Sequence, residues 1–199
     1  MHDEVDAEVE RALYPRRREG VIDDGEQLVL LGHRRDGFEI GNHTRAHKGV
    51  NSQKPAEIAA DLEHIEKRCV EHGIPVPTTF SYPGYATSPA ATTVLRERGY
   101  RFARAGGARV FDPAKDDPLT LPQAFDGKPA STLEQFKAAI AQAREGKIAV
   151  ITFHGVPDIR HPWVNTTPAQ FEAYMQHLKD EGCTVVAMRD LGKFVPVRK

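Results

Sequence analysis

A repeated alternation constrains this chain most: amphipathic helical stretches separated by short runs rich in β-branched and aromatic residues. Ile58, Leu62, Ile65 and Cys69 recur at helical spacing after Pro55, and Gly73 supplies a stop. Ser88-Pro89 gives an N-cap and a first-turn proline, leading through Val94 and Leu95 to Gly99. Leu133, Phe136, Ile140 and Ala143 form a third stripe, entered through Ser131-Thr132 and ended at Gly146. Phe171, Tyr174, Met175 and Leu178 form a fourth, between Thr167-Pro168 and Gly182. The runs between or beside them are Phe38-Ile40, Thr78-Tyr82, Tyr100-Ala103, Ile148-Phe153 and Thr184-Met188. Nearly continuous apolar strands separated by such helices predict βα units. The expected fold class is therefore α/β with a parallel sheet, either open or closed into a barrel.

Size and charge narrow the function classes. A chain of 199 residues suits one domain with a sizeable core. The net charge of −1 gives no electrostatic reason to expect nucleic acid. No apolar run approaches about 18 residues, so no membrane partner is expected. Met1 opens onto His2-Asp3-Glu4-Val5-Asp6, which lacks the regions of a signal peptide, so the chain as written is expected to be cytoplasmic. Cys69 falls on a helical stripe far from Cys183, which predicts buried free thiols. Residues 1–20 read as a helical or linker segment, apolar at Val5, Val9 and Leu13 and then basic at Arg16-Arg17-Arg18, ahead of a domain over 21–199.

Parallel βα architectures gather function just past the C-terminal ends of their strands. The residues immediately after each run are therefore informative. Phe38-Ile40 leads into His43 and His47, Thr78-Tyr82 into Pro83-Gly84-Tyr85, Tyr100-Ala103 into Arg104, and Ile148-Phe153 into His154-Gly155. Two imidazoles four residues apart suit one zinc-like ion if the backbone coils after the strand. With nine histidines, roughly 0.4 such pairs arise by chance, so position at a strand end carries more weight than spacing. Pro83-Gly84 alone is turn chemistry, and His154 alone equally suits a hydrogen bond within a buried turn. His33, His64, His72 and His177 fall on predicted helices and are assigned nothing.

The ordered set EIGNHTRAH, FSYPG and ITFHG, with a final helix and strand ending TVVAMRDL, resembles the polysaccharide deacetylase family, the NodB homology domain of carbohydrate esterase family 4. The resemblance runs from about Gly37 to about Phe194. It implies a distorted (β/α)7-type barrel that binds one divalent transition metal, usually zinc, through one aspartate and the two histidines, and removes N-acetyl groups from an amino sugar or its polymer. Carried over, His43 and His47 are metal ligands, and His154 is the acid of the late leucine-x-histidine motif, with Thr152 in the leucine's place. The groove-forming motif points to Tyr82, Pro83 and Tyr85 as substrate-binding residues, with Arg104 at the next strand end.

Departures set further expectations. The family's first strand ends in TFDD, one aspartate serving as base and the next as metal ligand. Here Val21-Ile22-Asp23-Asp24 imitates those letters, with only 18 residues between Asp24 and His43. Asp23 is the corresponding candidate base and Asp24 the candidate third ligand. Val21-Ile22 also resembles the family's second strand, in which case the first βα unit is missing. Ser81 stands where many members carry an arginine, and Arg104 is a conceivable substitute. The alternatives to a hydrolase are a catalytically impaired relative that binds metal or carbohydrate without turnover, and a structural domain whose rim histidines do not converge.

Overall fold

A computed structural model describes residues 37–195. Val21-Ile22, Asp23, Asp24 and His33 lie outside the described residues. The chain divides into two units, Met1–Ile40 and Gly41–Lys199, and the second carries the βα architecture.

The centre of that unit is a row of parallel segments. Strand β1 (Thr79–Ser81) pairs in parallel with β2 (Phe102–Arg104), with Ser81 opposite Arg104. On one side of β1 a parallel bridge joins Asn42 to Phe80; on the far side of β2 another joins Arg104 to Leu121. The chain then runs from Leu121 into β3 (Phe125–Gly127), which pairs in parallel with β4 (Ile151–Phe153). Asn42, β1, β2, the Leu121–Gly127 segment and β4 thus neighbour one another in chain order. Helices α1 (Pro55–Glu71), α2 (Pro89–Glu97) and α3 (Leu133–Ile140) make three of the connections, and α4 (Pro168–Asp180) follows β4. The fold is α/β with parallel strands, as the sequence predicts.

Local chemistry explains the helix ends. The Ser88 side chain accepts the Ala91 N–H at 3.1 Å. Thr132 and Gln135 exchange hydrogen bonds as a capping box, as do Thr167 and Gln170. Gly73 and Gly99 take the left-handed conformation just past α1 and α2, at φ +66° and +83°. Burial supplies most of the driving force, about 1.5–3 kcal/mol for each large apolar side chain.

Alternation along the strands sorts side chains onto two faces. Phe80, Tyr82, Ala103 and Ala105 pack with Ile58, Leu62, Val94 and Leu95 from α1 and α2. Phe102 points the other way, into a cluster with Phe111, Leu121, Val150 and Leu191. Phe125, Phe136, Ile140, Tyr174 and Leu178 fill the layer under α3 and α4.

Several expectations need correction. Phe38–Ile40 is not a strand, and pairing at this edge starts only at Asn42. Thr184–Met188 forms no ladder; Val186 and Met188 pack against the Phe102 cluster and the chain turns into a 3-10 helix at Met188–Lys193. Its apolar character reflects burial of side chains, not backbone pairing. Ile148 makes an antiparallel bridge to Phe111, so β4 starts only at Ile151. Both cysteines are free, but Cys183 is exposed and only Cys69 is buried. Among the described residues no helix is long and apolar enough to cross a membrane.

Candidate functional site

The bridge at Asn42 fixes the first part of the site. Asn42 is buried, with its Nδ2 donating to the Leu62 carbonyl at 3.2 Å and to the Tyr100 hydroxyl at 2.7 Å. The Tyr100 hydroxyl in turn donates to Glu66 at 3.0 Å, and Glu66 is held by Arg98. Asn42 Oδ1 accepts the Thr44 N–H at 3.0 Å, which turns the chain sharply after the strand edge. Thr44 and His47 both sit in left-handed backbone, at φ 65° and 53°, a strain of order 1–3 kcal/mol each that recurs at functional sites. The segment is not helical, and these turns bring the two histidines together: their ring centroids are 4.8 Å apart at 70°.

His43 is prepared as a ligand. Its Nδ1 donates to the Ser81 carbonyl at 2.7 Å, which leaves the Nε2 lone pair free. Partial burial of the ring holds its pKa below the ordinary value, opposed by the Ser81 carbonyl and reinforced by the charges of His47, Arg104 and His154. The imidazole is therefore neutral near pH 7, the form that binds a metal.

A second cluster forms at the ends of β3 and β4. Tyr85 donates its hydroxyl to Asp126 Oδ2 at 2.7 Å. His154 Nε2 lies 3.3 Å from Asp126 Oδ1 and 3.4 Å from the Tyr85 oxygen. Lys128 holds the same carboxylate at 2.7 Å. Asp126 Oδ1 itself makes no hydrogen bond, so its contact with His154 is one of charge proximity rather than alignment. Burial pushes the Asp126 carboxyl up, but the hydrogen bonds from Lys128 and Tyr85 and the charges of Lys128 and His154 hold it below the usual range. The Tyr85 phenol is pushed up, first by burial and then by Asp126, so it remains a proton donor.

Tyr85 owes its position to an unusual turn. Gly84 and Tyr85 are both left-handed, at φ 59° and 63°, which swings the ring back over the strand ends. A Cβ on Gly106 would come within 3.0 Å of Tyr85 Cβ, so the loop after β2 passes the ring closely only because residue 106 is glycine. Arg104 lies on the same ring, its Cζ 4.9 Å from the centroid.

The residues expected from sequence are thus brought together only in part. His43, His47, Tyr85, Arg104 and His154 share one region. Tyr82 does not belong to it: it is fully buried and donates to the Leu119 carbonyl at 2.9 Å, with burial pushing its phenol up to about 12. Pro83 is buried as well, so of the expected groove residues Tyr85 alone reaches the cluster. Among the described residues no three His, Cys, Asp or Glu side chains form a metal cage. Asp23 and Asp24, the expected base and third ligand, lie outside the described residues. A cavity of about 450 Å³ lined by Thr87, Ser88, Thr92, Arg96, Asp117 and Thr120 includes none of the histidines.

Sequence reasoning missed Asp126 and Lys128. They lie in the stretch from Gly106 to Ala130, whose Pro, Asp and Gly content reads as loop. The available signal was Ala124-Phe125 running into Asp126-Gly127, a short apolar run with a polar end like those at His43 and His154.

The fold has counterparts among known proteins. The polysaccharide deacetylase family model matches residues 20–103. A family 4 acetyl xylan esterase from Clostridium thermocellum, solved with a cobalt ion, superposes with a TM-score of 0.61 at 22% identity, covering 88% of this chain and 75% of that one. The Xyl-CE4 domain of a multidomain xylanase from the hindgut metagenome of Trinervitermes trinervoides gives 0.58 at 15% identity, over 86% and 71%. A family 4 carbohydrate esterase from Streptomyces lividans, solved with acetate, gives 0.52 at 14% identity, over 83% and 74%. No curated protein matches the chain.

Proposed function

We propose that this chain, which carries the polysaccharide deacetylase family's pattern over residues 20–103, hydrolyses acetyl groups from an acetylated carbohydrate, with the N-acetyl groups of an amino sugar polymer as its substrate class. The observation that carries the reading is the convergence of His43 and His47 at 4.8 Å, with His154, Asp126 and Tyr85 gathered at neighbouring strand ends. The match of the family model and the likeness to family 4 esterase folds support it. In this reading the domain spans 21–199, and the parallel row is part of a (β/α)7-type barrel.

The donor set fits two positions of a zinc-type site, with His43 and His47 supplying nitrogen ligands and Asp24 proposed as the third. A divalent metal held there would polarise the acetyl carbonyl and make hydroxide available near neutral pH. The chain's own residues do the rest. Ser81 keeps the His43 proton on Nδ1 and so keeps Nε2 for coordination. Asp23 is the proposed base. His154 turns Nε2 toward Asp126, which leaves Nδ1 to hold a proton for the departing amine. Tyr85 and Lys128 fix the Asp126 carboxylate in place.

The test is acetate release from acetylated chito-oligosaccharides by zinc-loaded protein, with acetylated xylan as the competing substrate. Faster release from the chito-oligosaccharide supports the amide reading; release from xylan alone would replace it with ester hydrolysis. The second reading, metal or carbohydrate binding without turnover, is favoured by the lack of a third ligand among the described residues. Asp24→Asn separates the two: loss of activity assigns Asp24 to the site, and zinc binding with no turnover in either protein supports the non-catalytic reading.

A further inference from the structure

Arg104 is the cation in this site whose chemistry the proposed reaction leaves unused. It ends β2 on the face opposite the α1 and α2 core, the face of Phe102, and lies in register with Ser81, whose carbonyl holds His43. The residue is 8% exposed, and its Nη1 is buried with no hydrogen-bond partner among the described residues. What it touches is the face of Tyr85, whose hydroxyl bonds Asp126. Asp126 is already engaged by Tyr85, Lys128 and His154. The described cluster therefore sets the cations Arg104 and Lys128 against one carboxylate. A desolvated guanidinium that feels Asp126 only at a distance, with the carboxylate shared among other donors, is a costly arrangement, and the arrival of an anion relieves it. Its planar fork of donors matches a carboxylate better than a neutral hydroxyl.

We infer that Arg104 anchors a ligand carboxylate in this site, supplied either by the acetate that deacetylation releases or by an acidic group on the glycan, as in a uronic acid. The source of that carboxylate rests on the proposed function, whereas the binding itself does not. The test titrates sodium acetate and sodium glucuronate, with glucose as a neutral control, into the full chain by calorimetry, before and after chelation of metal. Wild type should bind a carboxylate and not glucose. Arg104→Gln should weaken that binding at least about tenfold, and Arg104→Lys, which keeps the charge and loses the fork, by an intermediate factor, with unchanged zinc content and melting temperature. Tighter acetate identifies a product site, and tighter glucuronate an acidic glycan. Equal affinity in wild type and both variants, or no binding of either anion to wild type, overturns the inference. Arg104-dependent binding without any deacetylation would sink the hydrolytic reading and keep this one. Deacetylation with acetate inhibition unchanged in the variants would do the reverse.

Discussion

The two sides of the site are held by different forces. At His43 and its neighbour Asn42 the hydrogen bonds are between neutral groups: His43 to the Ser81 carbonyl, and Asn42 to the Leu62 carbonyl, the Tyr100 hydroxyl and the Thr44 N–H. At His154 the neighbouring carboxylate, Asp126, is charged and held by Lys128, and a separate ion pair, Asp116 with Arg109, ties the loop leading to β3. A ligand side that must stay neutral to coordinate a metal is braced by dipoles. A proton-transfer side, which must hold its carboxylate in place, is braced by ions. The division follows from chemistry and suggests which perturbations each side should feel.

The largest effects should come from the neutral side. His43→Ala or His47→Ala should remove the roughly one equivalent of zinc that the purified chain is expected to retain, and activity with it. Metal analysis that finds zinc unchanged in both variants would break the assignment of this side. On the charged side, Asp126→Asn keeps the shape and removes the charge facing His154. It should lower kcat by about 10²-fold, within the usual range for general acid–base steps, while zinc content and KM stay near wild type. A variant that instead loses zinc would show that the two sides are not separable in this way.

The same contrast explains what was legible in the sequence. Helices announce themselves locally, through Ser88, Thr132 and Thr167 as caps and through 3.6-residue stripes, and all four lie within a few residues of expectation. His43, His47 and His154 stood out because each follows an apolar run and imidazole is chemically pointed. Asp126 did not, because aspartate beside glycine is ordinary loop composition and its strand is only Phe125–Gly127. The role of Asp126 comes from Lys128, Tyr85 and His154 meeting it across three segments, which no local window contains. Tyr82 shows the opposite error: a residue inside a functional motif that serves the core.

Tyr85→Phe asks how much of the charged side depends on one neutral contact. It deletes the hydroxyl that Asp126 accepts at 2.7 Å and leaves the ring for Arg104. A hydrogen bond to a charged group contributes about 1.5–3 kcal/mol, of which the partly exposed site should realise the lower end. About a tenfold fall in kcat with unchanged zinc is expected. A fall as deep as that of Asp126→Asn would mean that Tyr85 acts on the substrate itself.

The smallest effect tests the electrostatic bracing away from chemistry. Asp116 takes both terminal nitrogens of Arg109, at 2.7 and 2.8 Å, and the Asp112 N–H at 2.8 Å, while the Arg109 backbone N–H reaches the Gln123 carbonyl just before β3. Arg109 first, then the Asp112 amide, hold the Asp116 carboxyl below its usual pKa against burial. In the unfolded chain the group titrates near about 3.9, so the unfolded state takes up the proton first as pH falls. The stabilisation is present above about pH 4 and is lost as pH drops through the lower folded value. Because Arg109 is half-exposed, the pair should contribute no more than about 1 kcal/mol at pH 7. Asp116→Asn should therefore cost about that much at pH 7 and flatten the acid limb below about pH 4. Hydrogen exchange locates the change: the Ala124 amide, bonded to Val150, should lose protection in the variant, while the Asn42 amide, bonded to Thr79, should not. Equal loss at both amides would mean that charge braces the two sides alike.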